Sequence, residues 1–212
     1  MTPEQNSLAR IDQSNQGIDC QLSEAEITPA PMVDPIVVVD YDPTWPDLFA
    51  ALRTPVAAAL EDVAVAIEHV RSSAVPGLAA KPIIDLDVAI RTETRLPEAI
   101  EQLACLGYVY EGDLGVPGRA AFAWPPQAVR HHLYVCALDS AAYRRHLLFR
   151  DYLRAHPDMT AAYAALKRQL AALYRTQRDA YTEAKGPFVR TAMSRAEEWA
   201  RISGWAVPER CT

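Results

Sequence analysis

The sequence predicts an α+β protein, and two observations support this class. Short apolar runs with strand character alternate with helical patterns through the first two thirds of the 212 residues, whereas every pattern from Ala141 onward is helical. Mixed strands and helices followed by helices alone are typical of a sheet that packs against a separate helical layer.

Composition sets the size and the compartment that we expect. The chain is 50% hydrophobic and 23% charged with a net charge of −6, which suits one ordinary core and not a protein that binds polyanions through its overall charge. The four cysteines show no CxxC spacing, so we expect free thiols and no zinc site. No signal pattern or apolar run of about 18 residues is present, which predicts a cytoplasmic protein without a membrane partner.

Residues 1–34 differ from the rest of the chain. They are acidic and rich in Gln, Asn and Ser, with Pro29 and Pro31 near their end. Such a segment cannot bury enough apolar area to offset its conformational entropy. We therefore predict a mobile acidic leader.

Residues 35–139 are predicted to form the α/β core. Ile36–Val39 is a β-branched run and predicts the first strand. Trp45 begins an Ala- and Leu-rich helix that is predicted to reach about Asp62, with a break near Thr54 caused by Pro55. The predicted elements that follow are a strand at 63–70, an apolar strand after Pro82, a helix at 96–106, and strands at 108–110, 120–124 and 131–137.

Residues 140–205 are predicted to form a helical region packed on the core. The first helix is predicted at 141–155, the second from an N-cap at Asp158 to about Gln177, and the third at 179–202 with an interruption at Gly186-Pro187. Residues 144–195 hold eleven Lys and Arg against four Asp and Glu. This local excess indicates an anion site, and solvated helix faces are the alternative interpretation.

The apolar strand after Pro82 carries two carboxylates, Asp85 and Asp87. Residues i and i+2 of a strand point to the same face, so both acids share one face and repel each other unless a cation or water lies beside them. Mg²⁺ bound to substrate phosphates is a common cation of this kind. Ser72 and Ser73 lie in a loop about a dozen residues earlier, an arrangement that suits nucleotidyl transfer, although paired serines also occur in ordinary turns.

The same stretch resembles the GrpB family. The resemblance rests on VDYDPTWP at 39–46, HVRSSAVPGLAAKPIIDLD at 69–87, PGR at 117–119, HLYV at 132–135 and LLFRDYLR at 147–154, and it covers roughly residues 36–200. It implies a nucleotidyltransferase-like fold, with a mixed β-sheet flanked by helices and a helical C-terminal region. It also implies that the serine loop and the acidic strand are the nucleotide and metal site.

Two positions depart from the family pattern. The family reads His-Ile-Gly-Ser-Thr where this chain has Arg71, and a second histidine where it has Tyr134. An arginine in place of glycine either blocks the approach of phosphates or contributes a phosphate ligand. Tyr134 cannot easily act as a base or ligand near pH 7, which leaves His132 as the candidate catalytic base.

Further candidate ligands are basic residues. Lys81 precedes the acidic strand, and Arg119 lies in a Gly-rich loop. The resemblance implies that Lys167 and Lys185 could reach a triphosphate from the helical region. Simple solvent exposure is the competing explanation for the lysines. Arg150 and Asp151 are interpreted as an ion pair that ties the helical region to the sheet. His69 is interpreted as structural, while His131, His146 and His156 have no metal-like spacing.

Together these residues predict a Mg²⁺-dependent enzyme that transfers a nucleotidyl group from a nucleoside triphosphate, ATP in the first instance, to a small-molecule acceptor, or activates that acceptor through an adenylate. One alternative is an adenylate-forming ligase that makes an amide or ester bond and releases AMP. Another is an inactive binding module, favoured by Arg71 and Tyr134. Nucleic acid is not favoured as a partner, because stacked-aromatic and groove-reading motifs are lacking.

Overall fold

The computed structural model describes residues 34–208, so the predicted leader and two of the cysteines, Cys20 and Cys211, lie outside the described residues. The α+β class is confirmed, as are the mixed sheet flanked by helices and the helical region after it. The helices are α1 (Trp45–Ala59), α2 (Leu96–Cys105), α3 (Ala141–Ala155), α4 (Pro157–Leu173), α5 (Arg178–Ala184) and α6 (Gly186–Ser203). The strands are β1 (Ala64–Val70), β2 (Ile84–Ile90), β3 (Val109–Tyr110), β4 (Ala120–Ala123) and β5 (His131–Ala137).

The five strands form one sheet in the order β1-β2-β5-β4-β3. Only β2 and β5 run parallel; the other three pairs are antiparallel. The parallel register places Asp85 opposite His132 and Asp87 opposite Tyr134. The acidic strand therefore lies beside the strand that carries the candidate base.

The two faces of β2 are covered by different layers. Leu86 and Val88 belong to a core that includes Trp45 of α1 and Leu103 of α2. On the opposite face, Ala89 packs with Leu147 of α3. Because side chains alternate along a strand, Asp85 and Asp87 point to this second face, towards α3.

The helical region packs directly on the segment that follows the serine loop. Val75 and Leu78 share a core with Leu148 of α3, Tyr163 of α4 and Met193 of α6. This packing holds α4 over the loop. Between residues 34 and 208 no helix is long and apolar enough to cross a membrane.

The predicted first strand at 36–39 is wrong. This segment makes only one bridge, between Val39 and Ala80, and the Ile36 amide donates to the carbonyl of Arg175. Ile36 packs against Leu170 and Tyr181 of the helical region. Ile36 and Val38 pack on the helical region while Val37 is exposed, and a local pattern cannot distinguish this arrangement from a strand of the sheet.

Three predicted helix features are also wrong. The helix α1 continues through Pro55, which is tolerated because Pro55 and Ala51 are exposed, so water can hydrate the Ala51 carbonyl that loses its partner. The N-cap of α4 is His156 rather than Asp158, with Pro157 at the first helical position, where its missing amide proton has no cost. That helix ends at Leu173, before the predicted Gln177. The predicted interruption near Gly186 is present, as α5 ends at Ala184.

The predicted ion pair between helix and sheet is present. Arg150 donates to the Glu68 carboxylate on β1 at 2.6 Å and to Asp151 at 2.7 Å. Arg150 and Glu68 are each only 5% exposed. Since a buried charge needs a partner, this pair fixes α3 against the edge strand β1.

Candidate functional site

The serine loop begins with a strained residue. Arg71 has φ 59° and ψ −154°, a conformation that is essentially confined to glycine. It joins β1 to a short 3₁₀ turn at Ser72–Ala74. The turn places Ser72 and Ser73 at the end of the sheet where β1 ends and β2 begins, near Asp85.

A cavity of about 430 Å³ lies between the sheet and the helical region. Its wall includes most of the residues that the sequence singled out: Arg71, Ser72, Ser73, Lys81, Asp85, His132, Lys167 and Lys185. Arg145 and His146 also line it. Five basic side chains thus face one carboxylate, that of Asp85, which makes the cavity suited to an anion.

Asp85 is held by two positive or hydrogen-bonding groups. The Nδ1 atom of His132 lies 2.8 Å from Oδ1 of Asp85, and Nε of Arg71 lies 3.7 Å from the same oxygen. Burial alone would raise the pKa of Asp85, but Arg71 and His132 outweigh burial and hold that pKa below its usual value. Asp85 is therefore a carboxylate at neutral pH.

Asp87 is deeper than Asp85. It is fully buried, and its Oδ2 atom lies 2.7 Å from Nδ1 of His146 on α3. Its Oδ1 atom has no hydrogen-bond partner. A buried carboxylate oxygen without a donor is costly, and it is a natural ligand for a hard cation.

Asp85 lines the cavity whereas Asp87 is buried behind it, so the two carboxylates do not form a complete cage for Mg²⁺. Among residues 34–208, no group of three or more His, Cys, Asp and Glu side chains is arranged to hold a metal ion. Mg²⁺ accepts one or two carboxylates when phosphate oxygens and water supply the other positions. The guanidinium of Arg71 competes for Asp85 Oδ1, so a cation there requires Arg71 to shift.

Lys167 of α4 closes the cavity above the serine loop. Its Nζ atom lies 2.9 Å from Oγ of Ser72 and 4.5 Å from the centre of the Tyr163 ring, and the residue is only 3% exposed. Burial, followed by the charge of Lys185, lowers the pKa of Lys167 to about 7. Burial and then Lys81 lower the pKa of Lys185 to about 8.

Lys81 and Lys185 share one aromatic surface. Their Nζ atoms lie 4.9 Å and 4.3 Å from the centre of the Tyr181 ring on α5. Attraction to the ring partly offsets the repulsion between the two ammonium groups. The two lysines that the sequence placed about 100 positions apart therefore form one positive wall.

The two departures from the family pattern are in contact with each other. The guanidinium of Arg71 lies 4.8 Å from the centre of the Tyr134 ring, and that of Arg119 lies 4.5 Å from the same ring. Arg119 does not line the cavity, and its Nε atom is buried without a partner. The anion-binding role that was predicted for Arg119 from its loop is therefore not matched by a position in the cavity wall.

Ser73 and His69 form a structural pair behind the loop. Ser73 Oγ donates to the Ile83 carbonyl at 3.0 Å and lies 3.1 Å from Nε2 of His69, whose ring stacks on Phe49. Burial lowers the pKa of His69 to about 4, so the ring is neutral. This agrees with the structural role expected for His69.

Sequence reasoning missed His146 and Arg145. Neither lies in a recognisable spacing with Asp87 or Asp85, because the contact joins a helix to a strand 59 positions away. The position of His146 one turn before Arg150 on the same helix was the only available signal. That signal indicates a helix face shared with the buried ion pair, not a role at the site.

Comparisons with known proteins agree with the resemblance. The family described as "GrpB protein" matches residues 35–195. UPF0157 protein PA4798 of Pseudomonas aeruginosa is 40% identical over 77% of this chain and 68% of its own length. UPF0157 protein YqkA of Bacillus subtilis is 33% identical over 78% of this chain but only 48% of its own length, so the chain spans about half of that relative.

A solved structure has the same fold. The crystal structure of the conserved protein GrpB from Enterococcus faecalis superimposes with a TM-score of 0.70 at 31% identity. The match covers 77% of this chain and 99% of the other. The sheet and the helical region that enclose the cavity are thus a shared architecture.

Proposed function

This chain belongs to the GrpB family, and we propose that it is an enzyme that binds a nucleoside triphosphate with Mg²⁺ and transfers the nucleotidyl group to a small-molecule acceptor. The observation that supports this proposal is the cavity in which the serine loop, Asp85, the buried Lys167 and the half-buried Lys185 meet. Its excess of positive charge matches the high negative charge of a triphosphate. ATP is the nucleotide to test first.

The phosphates would lie against the serine loop and α4. The hydroxyl of Ser72 and the amines of Lys167 and Lys185 would donate hydrogen bonds to phosphate oxygens. A phosphate beside these amines favours their charged form and raises their pKa from the low values of the free cavity. Binding is therefore expected to take up protons between pH 7 and 8.

Asp85 and Asp87 would hold the metal ion. Mg²⁺ supplies positive charge at the phosphate that is attacked and favours the leaving pyrophosphate. Arg71 would then move from Asp85 to the phosphates, where its planar guanidinium can bind oxygens in pairs.

In this proposal His132 would accept a proton from the acceptor. Its Nδ1 atom faces Asp85, so Nδ1 carries the proton and Nε2 is left as the basic nitrogen. The residue is about one third exposed and lines the cavity. An acceptor hydroxyl bound near Nε2 would lose its proton as it attacks the α-phosphate.

Calorimetric titration with ATP and Mg²⁺ tests the proposal. We expect heat of binding for the wild type, and at least about a tenfold weaker affinity for Asp85→Asn because that change removes a charged metal ligand. Glu101→Gln, at an exposed acid on α2, is the matched control and should bind as the wild type does. Absence of binding heat for the wild type refutes the proposal.

Two other outcomes define the alternatives. Product analysis separates transfer, which leaves AMP on the acceptor, from ligation, which releases free AMP with a condensed product. An inactive binding module is the second candidate function, supported by Arg71 bound to Asp85. If Arg71 plugs the pocket, Arg71→Gly increases nucleotide affinity, whereas a decrease means that Arg71 is a phosphate ligand.

A further inference from the structure

The two adjacent serines of the loop differ in what their hydroxyl protons do. Ser73 is 1% exposed, and its single proton is donated to the Ile83 carbonyl. The nearby His69 nitrogen must therefore donate to Ser73 Oγ and cannot act as its base. Ser73 is thus committed to holding the loop.

The hydroxyl of Ser72, unlike that of Ser73, is available to react as a nucleophile. It is half-buried in the cavity wall, and its hydroxyl contacts Nζ of Lys167 at 2.9 Å. Within residues 34–208, no carboxylate lies within 4.0 Å of Lys167 to pair with an ammonium group. A buried amine without a counter-ion favours its neutral form, which is a base.

The surroundings of Lys167 act in the same direction. The charged groups near it, Lys185 and Arg168, are both positive, and with burial they lower its pKa to about 7. The ring of Tyr163 favours the ammonium only weakly. The cavity's one carboxylate, Asp85, is already paired with Arg71 and His132. Near neutral pH a large share of Lys167 is therefore unprotonated and can take the Ser72 proton.

We propose that Ser72 is a nucleophile activated by Lys167, and that the cavity can act on the acyl group of a small ester that carries a negative charge. The anionic class follows from the basic side chains Arg71, Lys81 and Lys185 around the two residues. This activity goes beyond nucleotide transfer and needs neither nucleotide nor metal.

The proposed reaction balances in two steps. Ser72 Oγ forms a bond to the ester carbonyl carbon as its proton passes to Lys167 Nζ; the ester C–O bond then breaks and the leaving alcohol takes that proton. Lys167 next removes a proton from water, which attacks the acyl-serine and restores the free hydroxyl. The sum is ester plus water giving acid plus alcohol.

Labelling with a fluorophosphonate probe tests the nucleophile directly in the full chain without nucleotide. Ser72 Oγ would bond to phosphorus, fluoride would leave, and the serine proton would pass to Lys167. We expect one adduct per chain, located at Ser72 by peptide mass spectrometry. The labelling rate should rise with pH to a plateau, with its midpoint near the pKa of Lys167 of about 7, following the deprotonation of Lys167.

Matched variants separate chemistry from folding. Ser72→Ala should lose the adduct, and Lys167→Met should label at least about 100-fold more slowly because the general base is gone. Ser194→Ala, at an exposed serine of α6, should label as the wild type does. Near-ultraviolet circular dichroism verifies that each variant is folded.

The substrate class has its own measurement. Mono-4-nitrophenyl succinate should be cleaved at least about tenfold faster than 4-nitrophenyl acetate, since the succinate carboxylate pairs with the basic wall. An adduct at another residue, no adduct at all, or wild-type labelling by Lys167→Met overturns the proposal. Binding of ATP in the calorimeter does not decide this question, so failure of either proposal leaves the other standing.

Discussion

The backbone of Arg71 offers the sharpest test of how the site is built. With φ 59° and ψ −154°, this residue occupies a region that side chains with a β-carbon avoid, at a cost of about 1–3 kcal/mol. Replacing it by Gly removes both the side chain and the strain, whereas replacing it by Ala removes the guanidinium but keeps the strain. We therefore expect Arg71→Gly to be more stable to unfolding than Arg71→Ala by about 1–3 kcal/mol.

Comparing Gly with Ala cancels the lost contacts. Both variants lose the ion pair to Asp85 and the contact with the Tyr134 ring, so the difference between them reports the backbone alone. Urea unfolding followed by circular dichroism gives the free energy of unfolding, provided the dependence on urea is equal in both. The control is the same pair of substitutions at Glu101 of α2, where the free energy of unfolding of Glu101→Ala should exceed that of Glu101→Gly by about 1 kcal/mol. If Ala is also the more stable residue at position 71, the strained conformation is refuted.

Two further predictions concern stability. Arg150→Met should lower the free energy of unfolding by about 3–5 kcal/mol, because it leaves Glu68 buried without its partner. Arg168→Met, at the exposed pair with Asp40, should lower it by less than about 1 kcal/mol. Equal losses of both variants in urea titrations would contradict the burial argument. Lys167 is protonated in the unfolded chain up to about pH 10.5 but in the folded protein only up to about pH 7, so wild-type stability should rise by about 2–3 kcal/mol from pH 7 to pH 9. Lys167→Met should lack this part of the rise, and an equal rise in both proteins would show that Lys167 is not perturbed.

The sequence predicted the elements that depend on local pattern. Alternation along β2 correctly placed Asp85 and Asp87 on the face opposite Leu86, because side-chain direction in a strand has a period of two. The helix predicted at 141–155 has these bounds in the structure, where Ser140 caps it and its hydroxyl accepts a hydrogen bond from the amide of Tyr143. Such features are decided within a few residues of the chain.

Features that depend on tertiary packing were not predictable in this way. Ile36–Val39 has strand composition, but Ile36 and Val38 pack on the helical region, since apolar β-branched residues suit either surface. Lys167 was chosen through the family resemblance, and its burial and contact with Ser72 depend on how α4 crosses the loop. His146 was missed because nothing in the local sequence connects it with Asp87.

The contacts that close the cavity have a consequence for folding. The hydrogen bond between Lys167 and Ser72 joins residues 95 positions apart, and the pair between Arg150 and Glu68 spans 82. Contacts of this separation form slowly, because a long loop must be closed before they contribute any stability. The cavity is therefore complete only when the helical region has docked on the sheet. Any mutation that weakens docking of α4 is expected to open the cavity at the contact between Lys167 and Ser72 while α3 still covers Asp87, so loss of the site can precede loss of the fold.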